Sequence, residues 1–304
     1  MRGNSRKTGK EEYFTLPKVA QDCVDTLLRL YPDSKKFLEP AAGNGSFSNY
    51  LRTKGTVVEF DITPRTQTTK RLSEDLDSGG LDFIEHITPQ LWFSDHPGKF
   101  DAVISNPPFG RASNLAIDFF NHATQFSDVI AFIVPSSWEN RFFIWDKLDL
   151  NFHNAYSAEM PKTSFVSPSG TVFEGEYLNC VFQIWERRDA VRDKMLKYRS
   201  GDFEFVRPTN VAKILAKNAY NRELKPEFAT DPSELITIRT HGSRAGKIEE
   251  NYWHNPRTVQ WILPKSYGVK EKLLQVDFSD YLKSNAYIPS LAPAEIAYCY
   301  DISH

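Results

Sequence analysis

Lys36-Phe37-Leu38-Glu39-Pro40-Ala41-Ala42-Gly43-Asn44-Gly45-Ser46-Phe47 begins as a short strand, breaks into a glycine-bearing turn and opens a helix that continues through Tyr50 and Leu51. Two glycines after a strand allow a tight turn and a close approach of main chain to a ligand. The Gly-Lys-Ser/Thr ending of a phosphate loop is missing. The same rhythm recurs downstream. Thr56–Ile62 reads as a second strand, Leu81–Glu85 as a short third, and Phe100–Ser105 as a fourth that breaks at Asn106-Pro107-Pro108. Leu115–Thr124 reads as a helix and Val129–Val134 as a fully apolar fifth strand stopped by Pro135. Upstream, Pro17 opens a helix with Ala20, Cys23, Val24, Leu27, Leu28 and Tyr31 on one face, and Pro32-Asp33 ends it. Strands alternating with helices predict an α/β fold, a largely parallel sheet with helices on both faces.

Composition narrows the function classes. The chain has 304 residues, 40% of them hydrophobic, enough for one large domain or a medium and a small one. No run of apolar residues is long enough to span a membrane, and the polar, basic Met1–Lys10 lacks the apolar core of a secretory signal. Cys23, Cys180 and Cys299 lie far apart, which argues against a disulfide framework and fits a reducing cytoplasm. No Cys-x-x-Cys or His-x-x-x-His pair is present, so no metal site is expected. The net charge of −2 does not announce a nucleic-acid binder, and the basic tail reads first as a solvated segment, second as a phosphate-binding arm.

Ligands in parallel sheets bind beyond the carboxyl ends of the strands. Glu39, Asp61, Asp82 and Asn106 all fall at predicted strand ends. Glu39 is placed to accept from a ligand ammonium. Asp61 suits a ribose diol, although taken alone it is equally a helix cap. Asp82 suits an adenine amine with Phe83 on the ring, the alternative for Phe83 being core. Asn106-Pro107-Pro108-Phe109 stiffens the main chain and leaves its carbonyls without ladder partners. The Asn side chain and the Pro107 carbonyl then make two acceptors beside an aromatic face. That arrangement suits an amine on an aromatic base, whose lone pair is delocalised and which gains positive charge as it is alkylated. The plain alternative is a loop with two stiffening prolines.

Together, and in this order, these stretches resemble the gamma class of adenine-N6 DNA methyltransferases of restriction–modification systems and phages. Tyr13-Phe14-Thr15-Leu16-Pro17 resembles the family's N-terminal segment, Glu39–Phe47 its Gly-rich loop, Asp61-Ile62 its ribose-binding acid and neighbour, and Asp82-Phe83 its adenine clamp. Phe119 resembles a further adenine contact. The alternating run Thr171–Trp185 reads as a late hairpin, with Leu178, Cys180, Phe182 and Ile184 sharing a face. Phe173, followed by Asn179-Cys180-Val181-Phe182, resembles the aromatic that stacks on the flipped base; Phe173 as core, or Phe165 as the stacking ring, are the alternatives.

The resemblance covers roughly residues 11–186. It implies a Rossmann-like S-adenosylmethionine-dependent methyltransferase sheet and a site-specific, adenine-specific DNA methyltransferase in a bacterial or phage-infected cytoplasm. It implies a cofactor site of Thr15, Glu39, Pro40, Ala41, Gly43, Gly45, Asp61, Ile62, Asp82, Phe83, Asn106 and Phe119. Asn106, Pro107, Pro108 and Phe109 become the catalytic residues, and Phe109 and Phe173 the base-stacking ones. RNA adenine, a protein glutamine amide and a non-catalytic binding module are the alternatives. The expected organisation is a flexible tail over 1–10, a catalytic domain over 11–190 and a small α+β module over 191–304. In that module Arg239, Arg244 and Lys247, between Gly242 and Gly246, read as a solvated loop or a phosphate contact, with Tyr252 and Trp253 nearby to stack or pack.

Overall fold

The computed structural model describes residues 13–63, 65–67, 69, 80–96, 98–167, 170–172, 179–207, 210, 235–249, 258–283 and 290–304. They divide into two compact units, the first drawn from Met1–Glu139 and Lys147–Asp193, the second from Asn140–Asp146 and Lys194–His304.

In the first unit the order is β1 (Phe14–Thr15), α1 (Pro17–Leu30), β2 (Lys36–Glu39), α2 (Ser46–Leu51), β3 (Thr56–Glu59), α3 (Phe83–His86), α4 (Pro89–Asp95), β4 (Ala102–Ser105), α5 (Asn114–Ala123) and β5 (Val129–Pro135). The chain leaves for the second unit through α6 (Phe142–Trp145) and returns as β6 (Phe152–Glu159), β7 (Phe165–Val166) and β8 (Cys180–Arg187). Six strands form one sheet in the order β3-β2-β4-β5-β8-β6. The first four are parallel; β8 runs antiparallel to both β5 and β6. The expected α/β architecture is therefore present, with a mostly parallel central sheet. From β2 the chain steps outward to β3, while β4 returns on the other side of β2, so the connection reverses between β2 and β4. A crevice forms at such a reversal, outside the carboxyl ends of the strands.

Burial explains the elements. Helix α1 places Ala20, Cys23, Val24 and Leu27 in the core, with Pro17 in its first turn, where a missing N–H costs nothing. Five consecutive residues of β5 are buried, as a strand covered on both faces requires. One reading of the sequence is corrected. Leu81–Glu85 is not a strand: the Asp82 carboxylate accepts from the Ile84 and Glu85 N–H groups at 2.8 and 3.1 Å and starts helix α3. An N-cap hydrogen bond decides a short mixed run whose periodicity cannot. The late strand is antiparallel, as expected; residues 173–178 of the expected hairpin lie outside the described residues, and β8 pairs with β5 and with β6, a mostly exposed or half-buried strand at the sheet edge that shifts register between Asn154 and Tyr156.

The second unit holds an antiparallel sheet of β9 (Phe203–Val206), β10 (Ile236–Arg239), β11 (Ile248–Glu249) and β12 (Val259–Pro264), in the order β11-β10-β12-β9. Helices α7 (Val269–Gln275), α8 (Ser279–Lys283) and α9 (Pro293–Ser303) follow, and Phe203, Ile238, Ile262, Leu273, Ile296 and Tyr300 belong to its core. Segment Asn140–Asp146 packs into this unit. Phe142 meets Tyr281 and Tyr298 edge-on at 5.9 and 5.4 Å, and buried Arg141 pairs with fully buried Glu295 at 3.2 Å. Burial pushes the Glu295 carboxyl up, and the Arg141 guanidinium opposes that shift.

Candidate active site

A cavity of about 200 Å³ opens among the loops that follow β2, β3 and β4, with β1 along it. Of the residues singled out from the sequence, Thr15, Glu39, Pro40, Ala41, Gly43, Asp61, Ile62, Asp82, Phe83, Asn106, Pro107, Pro108, Phe109 and Phe119 line it. Gly45 does not; it is the N-cap of α2. Phe173 lies outside the described residues. Phe165 is a buried core residue, so it is not a stacking ring.

The loop after β2 is bound tightly to its surroundings. Gly43 has φ +54°, and a Cβ there would sit 3.0 Å from the Phe14 ring, so both conformation and space call for glycine. Its N–H donates to Asp61 Oδ2 at 2.8 Å, while Asp61 Oδ1 accepts from the Thr63 N–H at 2.7 Å. Glu39, the last residue of β2, is 1% exposed and accepts from the Ser48 hydroxyl. Burial pushes its carboxyl well above the usual range. The Ser48 hydrogen bond works against that rise, and Glu59, its partner across β3, adds to it. Thr15 is 4% exposed, and its hydroxyl finds no hydrogen-bond partner among the described residues, although it lines the cavity. A buried hydroxyl left this way costs about 1–3 kcal/mol, so the site suits a ligand that supplies the bond.

Two of the residues expected to face an adenine, Phe83 and Phe119, are aromatic. Phe83 is buried against Phe60, Phe119 and Phe126, with ring centroids 6.2, 5.9 and 5.3 Å away, and lines the cavity. Asp82 Oδ1 is engaged as the α3 cap. Ile62 stays 58% exposed at the cavity rim, an apolar side chain with no core to join.

The loop after β4 is built differently. Asn106 Nδ2 donates to the Tyr13 carbonyl at 3.0 Å. Neither Asn106 Oδ1 nor the Pro107 carbonyl accepts a hydrogen bond from any described residue. Phe109 packs on the core beside them. The chain then passes through three left-handed residues, Gly110 at φ +67°, Ala112 at +53° and Ser113 at +61°, before α5 begins. Non-glycine residues hold such angles at a cost and cluster at functional sites.

Sequence reading missed Arg65 and Leu115, which also line the cavity. The Arg65 guanidinium sits 5.0 Å from the centre of the Phe14 ring, a contact that no spacing rule foretells. Elsewhere, Arg239 and Arg244 of the second unit both pair with Glu249, at 3.1 and 3.2 Å, so much of that loop's charge is met within it. Tyr252, Trp253 and the tail Met1–Lys10 lie outside the described residues. The three cysteines are buried and free; burial pushes the Cys180 and Cys299 thiols up to about 12 and raises that of Cys23, which leaves them unreactive. Among the described residues no cluster of three metal-ligating side chains occurs, and no helix is long and apolar enough to cross a membrane.

No protein-family model matches the chain, and no curated protein matches it. Several solved structures are similar. A protein assigned as an RNA methyltransferase from Pyrococcus horikoshii is 19% identical over 58% of this chain and 87% of its own, with a TM-score of 0.41. The modification subunit of a protein assigned as a type I restriction enzyme from Vibrio vulnificus is 14% identical over 61% of this chain and 46% of its own, with a TM-score of 0.40. The magnesium protoporphyrin IX methyltransferase of Synechocystis, solved with bound S-adenosylmethionine, is 14% identical over 56% of this chain and 79% of its own, with a TM-score of 0.36. At these TM-scores the functional reading rests on the geometry of the site itself.

Proposed function

We propose that the first unit binds S-adenosylmethionine and methylates the exocyclic N6 amine of adenine in nucleic acid, with DNA as the acceptor. One observation carries the reading: Asn106 Oδ1 and the Pro107 carbonyl accept no hydrogen bond from any described residue, and Asn106, Pro107 and Phe109 together line the cavity just after β4. An aromatic amine has two N–H bonds and a delocalised lone pair. Two fixed acceptors grip both N–H bonds, favour a pyramidal nitrogen and take up its growing positive charge. Preorganised dipoles of this kind supply much of an enzyme's rate. The Phe109 face favours the same charge. A base flipped into the site loses a few kcal/mol of stacking, which burial against aromatic rings offsets.

The cavity's donor set fits the cofactor. The unpartnered Thr15 hydroxyl and the Glu39 carboxylate suit the amino-acid end, Asp61 the ribose hydroxyls, and Asp82, Phe83, Phe119 and Ile62 the adenine. When bound, S-adenosylmethionine supplies an electrophilic methyl group. No residue with a tuned pKa is required at the amine at the start, because charge is shared first with Asn106 and Pro107; the methylated amine, now a cation, then releases its proton to water. The same acceptor pair suits an RNA adenine or a glutamine carboxamide. Incubating the protein with methyl-labelled cofactor and separate DNA, RNA and protein acceptors tests the reading: label in DNA is expected, label in RNA or protein alone replaces the acceptor, and label in none sinks the assignment.

A further inference from the structure

We propose that the main-chain carbonyl of Tyr13 is a positioning group for Asn106, holding Nδ2 away from the acceptor amine and Oδ1 toward it. The inference rests on the reading of Asn106 given above. A side-chain amide has a donor end and an acceptor end of nearly equal shape, and nothing in the Asn-Pro-Pro turn itself chooses between them. The choice comes from 93 residues earlier in the chain, where the Tyr13 carbonyl lies 3.0 Å from Asn106 Nδ2. A carbonyl oxygen accepts only from a donor; turning the amide over would set two oxygens against each other at that distance.

The strand that follows Tyr13 is held from several sides. Strand β1 pairs with β7 through Phe14↔Val166 and Thr15↔Phe165, and the Leu16 N–H donates to the Ser164 carbonyl at 2.9 Å. The Ser46 hydroxyl donates to the Thr15 carbonyl at 2.6 Å, tying the strand to the Gly-rich loop. The same short strand thus presents the Thr15 side chain to the cavity and fixes the orientation of Asn106. It follows that asparagine, and not aspartate, is required at position 106. An aspartate is the stronger acceptor for an amine, but when ionised it has no proton for Tyr13. Protonated, its O–H replaces Nδ2–H and its C=O replaces Oδ1, and the layout of donor and acceptor is restored.

The test compares Asn106→Asp with Asn106→Ala across pH, using labelled S-adenosylmethionine and total DNA and RNA from cells lacking adenine methylation. Rates are normalised to the wild type, which shares the other titratable groups lining the cavity: Tyr13, Glu39, Asp61, Arg65 and Asp82. Asn106→Asp is expected to exceed Asn106→Ala by about tenfold at low pH, roughly the worth of one restored hydrogen bond, and to fall toward it as pH rises. Calorimetric cofactor binding by both variants checks the fold. A rate for Asn106→Asp that climbs with pH, or that never exceeds Asn106→Ala, overturns the positioning role and leaves the acceptor role of Asn106 standing. An Asn106→Ala variant near wild-type rate, or an inactive wild type, removes that acceptor role and this inference with it. In the wild type, the Asn106 side-chain amide protons, assigned by their loss in Asn106→Ala, should exchange slowly with solvent; fast exchange also overturns the proposal.

Discussion

The loop after β2 and the loop after β4 face one cavity and are built on opposite plans. In the first, polar groups are tied to the protein: Gly43 N–H to Asp61, Gly45 N–H to the Ala42 carbonyl, Glu39 to Ser48. In the second, a left-handed stretch and two prolines keep two acceptors open, and a single side-chain bond, Asn106 to Tyr13, orients one of them. On the proposed function, the difference separates two tasks. A binding loop gains from being rigid before the ligand arrives, because the ordering cost is met on folding. A loop that stabilises charge on a reacting atom must leave its dipoles unpaired until that atom is present.

Substitutions in the binding loop should therefore change cofactor affinity, and those in the open loop the rate or the strain. The largest effect in the binding loop is expected from Glu39→Gln. A charge-assisted bond to a ligand ammonium is worth about 1.5–3 kcal/mol, so cofactor affinity should fall about 10- to 100-fold wherever Glu39 is ionised and the ammonium protonated. The sign with pH follows from the raised Glu39 carboxyl. Only the ionised form serves an ammonium, so wild-type affinity relative to Glu39→Gln should rise with pH through the raised value, until the ammonium itself loses its proton. A group raised on folding contributes stability at low pH that is lost as pH passes its folded value. The cofactor-free Glu39→Gln protein should then melt higher than wild type at alkaline pH. Calorimetry and melting curves over pH check both statements, and a variant with wild-type affinity at every pH would break the assignment of Glu39.

Gly43→Val comes next. A branched side chain at φ +54° costs about 2 kcal/mol, and its Cβ meets the Phe14 ring. Cofactor binding should weaken about tenfold, with a lower melting temperature. Thr15→Val sharpens the comparison through opposite signs. It removes a buried hydroxyl that has no described partner, so the cofactor-free protein should gain about 1 kcal/mol of stability, while cofactor affinity drops about fivefold. Affinity and stability falling together would indicate that the hydroxyl serves the fold. The smallest effect is expected in the open loop. Ala112→Gly relieves a left-handed residue and should stabilise the protein by about 1 kcal/mol in chemical unfolding, with cofactor affinity unchanged.

Much of this was legible in the sequence where one physical effect dominates. The apolar run of β5 and the single buried face of α1 reflect burial alone, and each lies close to its expected place. The cavity residues were legible because parallel strands end on one side, so Glu39, Asp61 and Asn106 converge whatever the helices between them do. Asp82 converges too, but as a helix cap, because a carboxylate reaching two N–H groups outweighs a weak strand pattern. Strand β6 has too few apolar residues to announce itself and exists because β8 offers it a ladder. The membership of Asn140–Asp146 in the second unit depends on contacts made about 140 to 155 residues later, such as Arg141 with Glu295, which no local window contains. The bond from Asn106 to Tyr13 is of the same long-range kind, and the orientation of the key amide was for that reason invisible in the Asn-Pro-Pro motif.

The most direct test of the central claim is mass spectrometry of nucleosides from cells expressing either the wild type or Asn106→Ala, with DNA and RNA digested separately. N6-methyladenine in the DNA of wild-type cells is predicted, reduced about 10²- to 10³-fold in the variant, the range for losing one preorganised polar group at a reacting centre. The purified variant should still bind S-adenosylmethionine. Equal N6-methyladenine from both proteins, or none from either, would contradict the account.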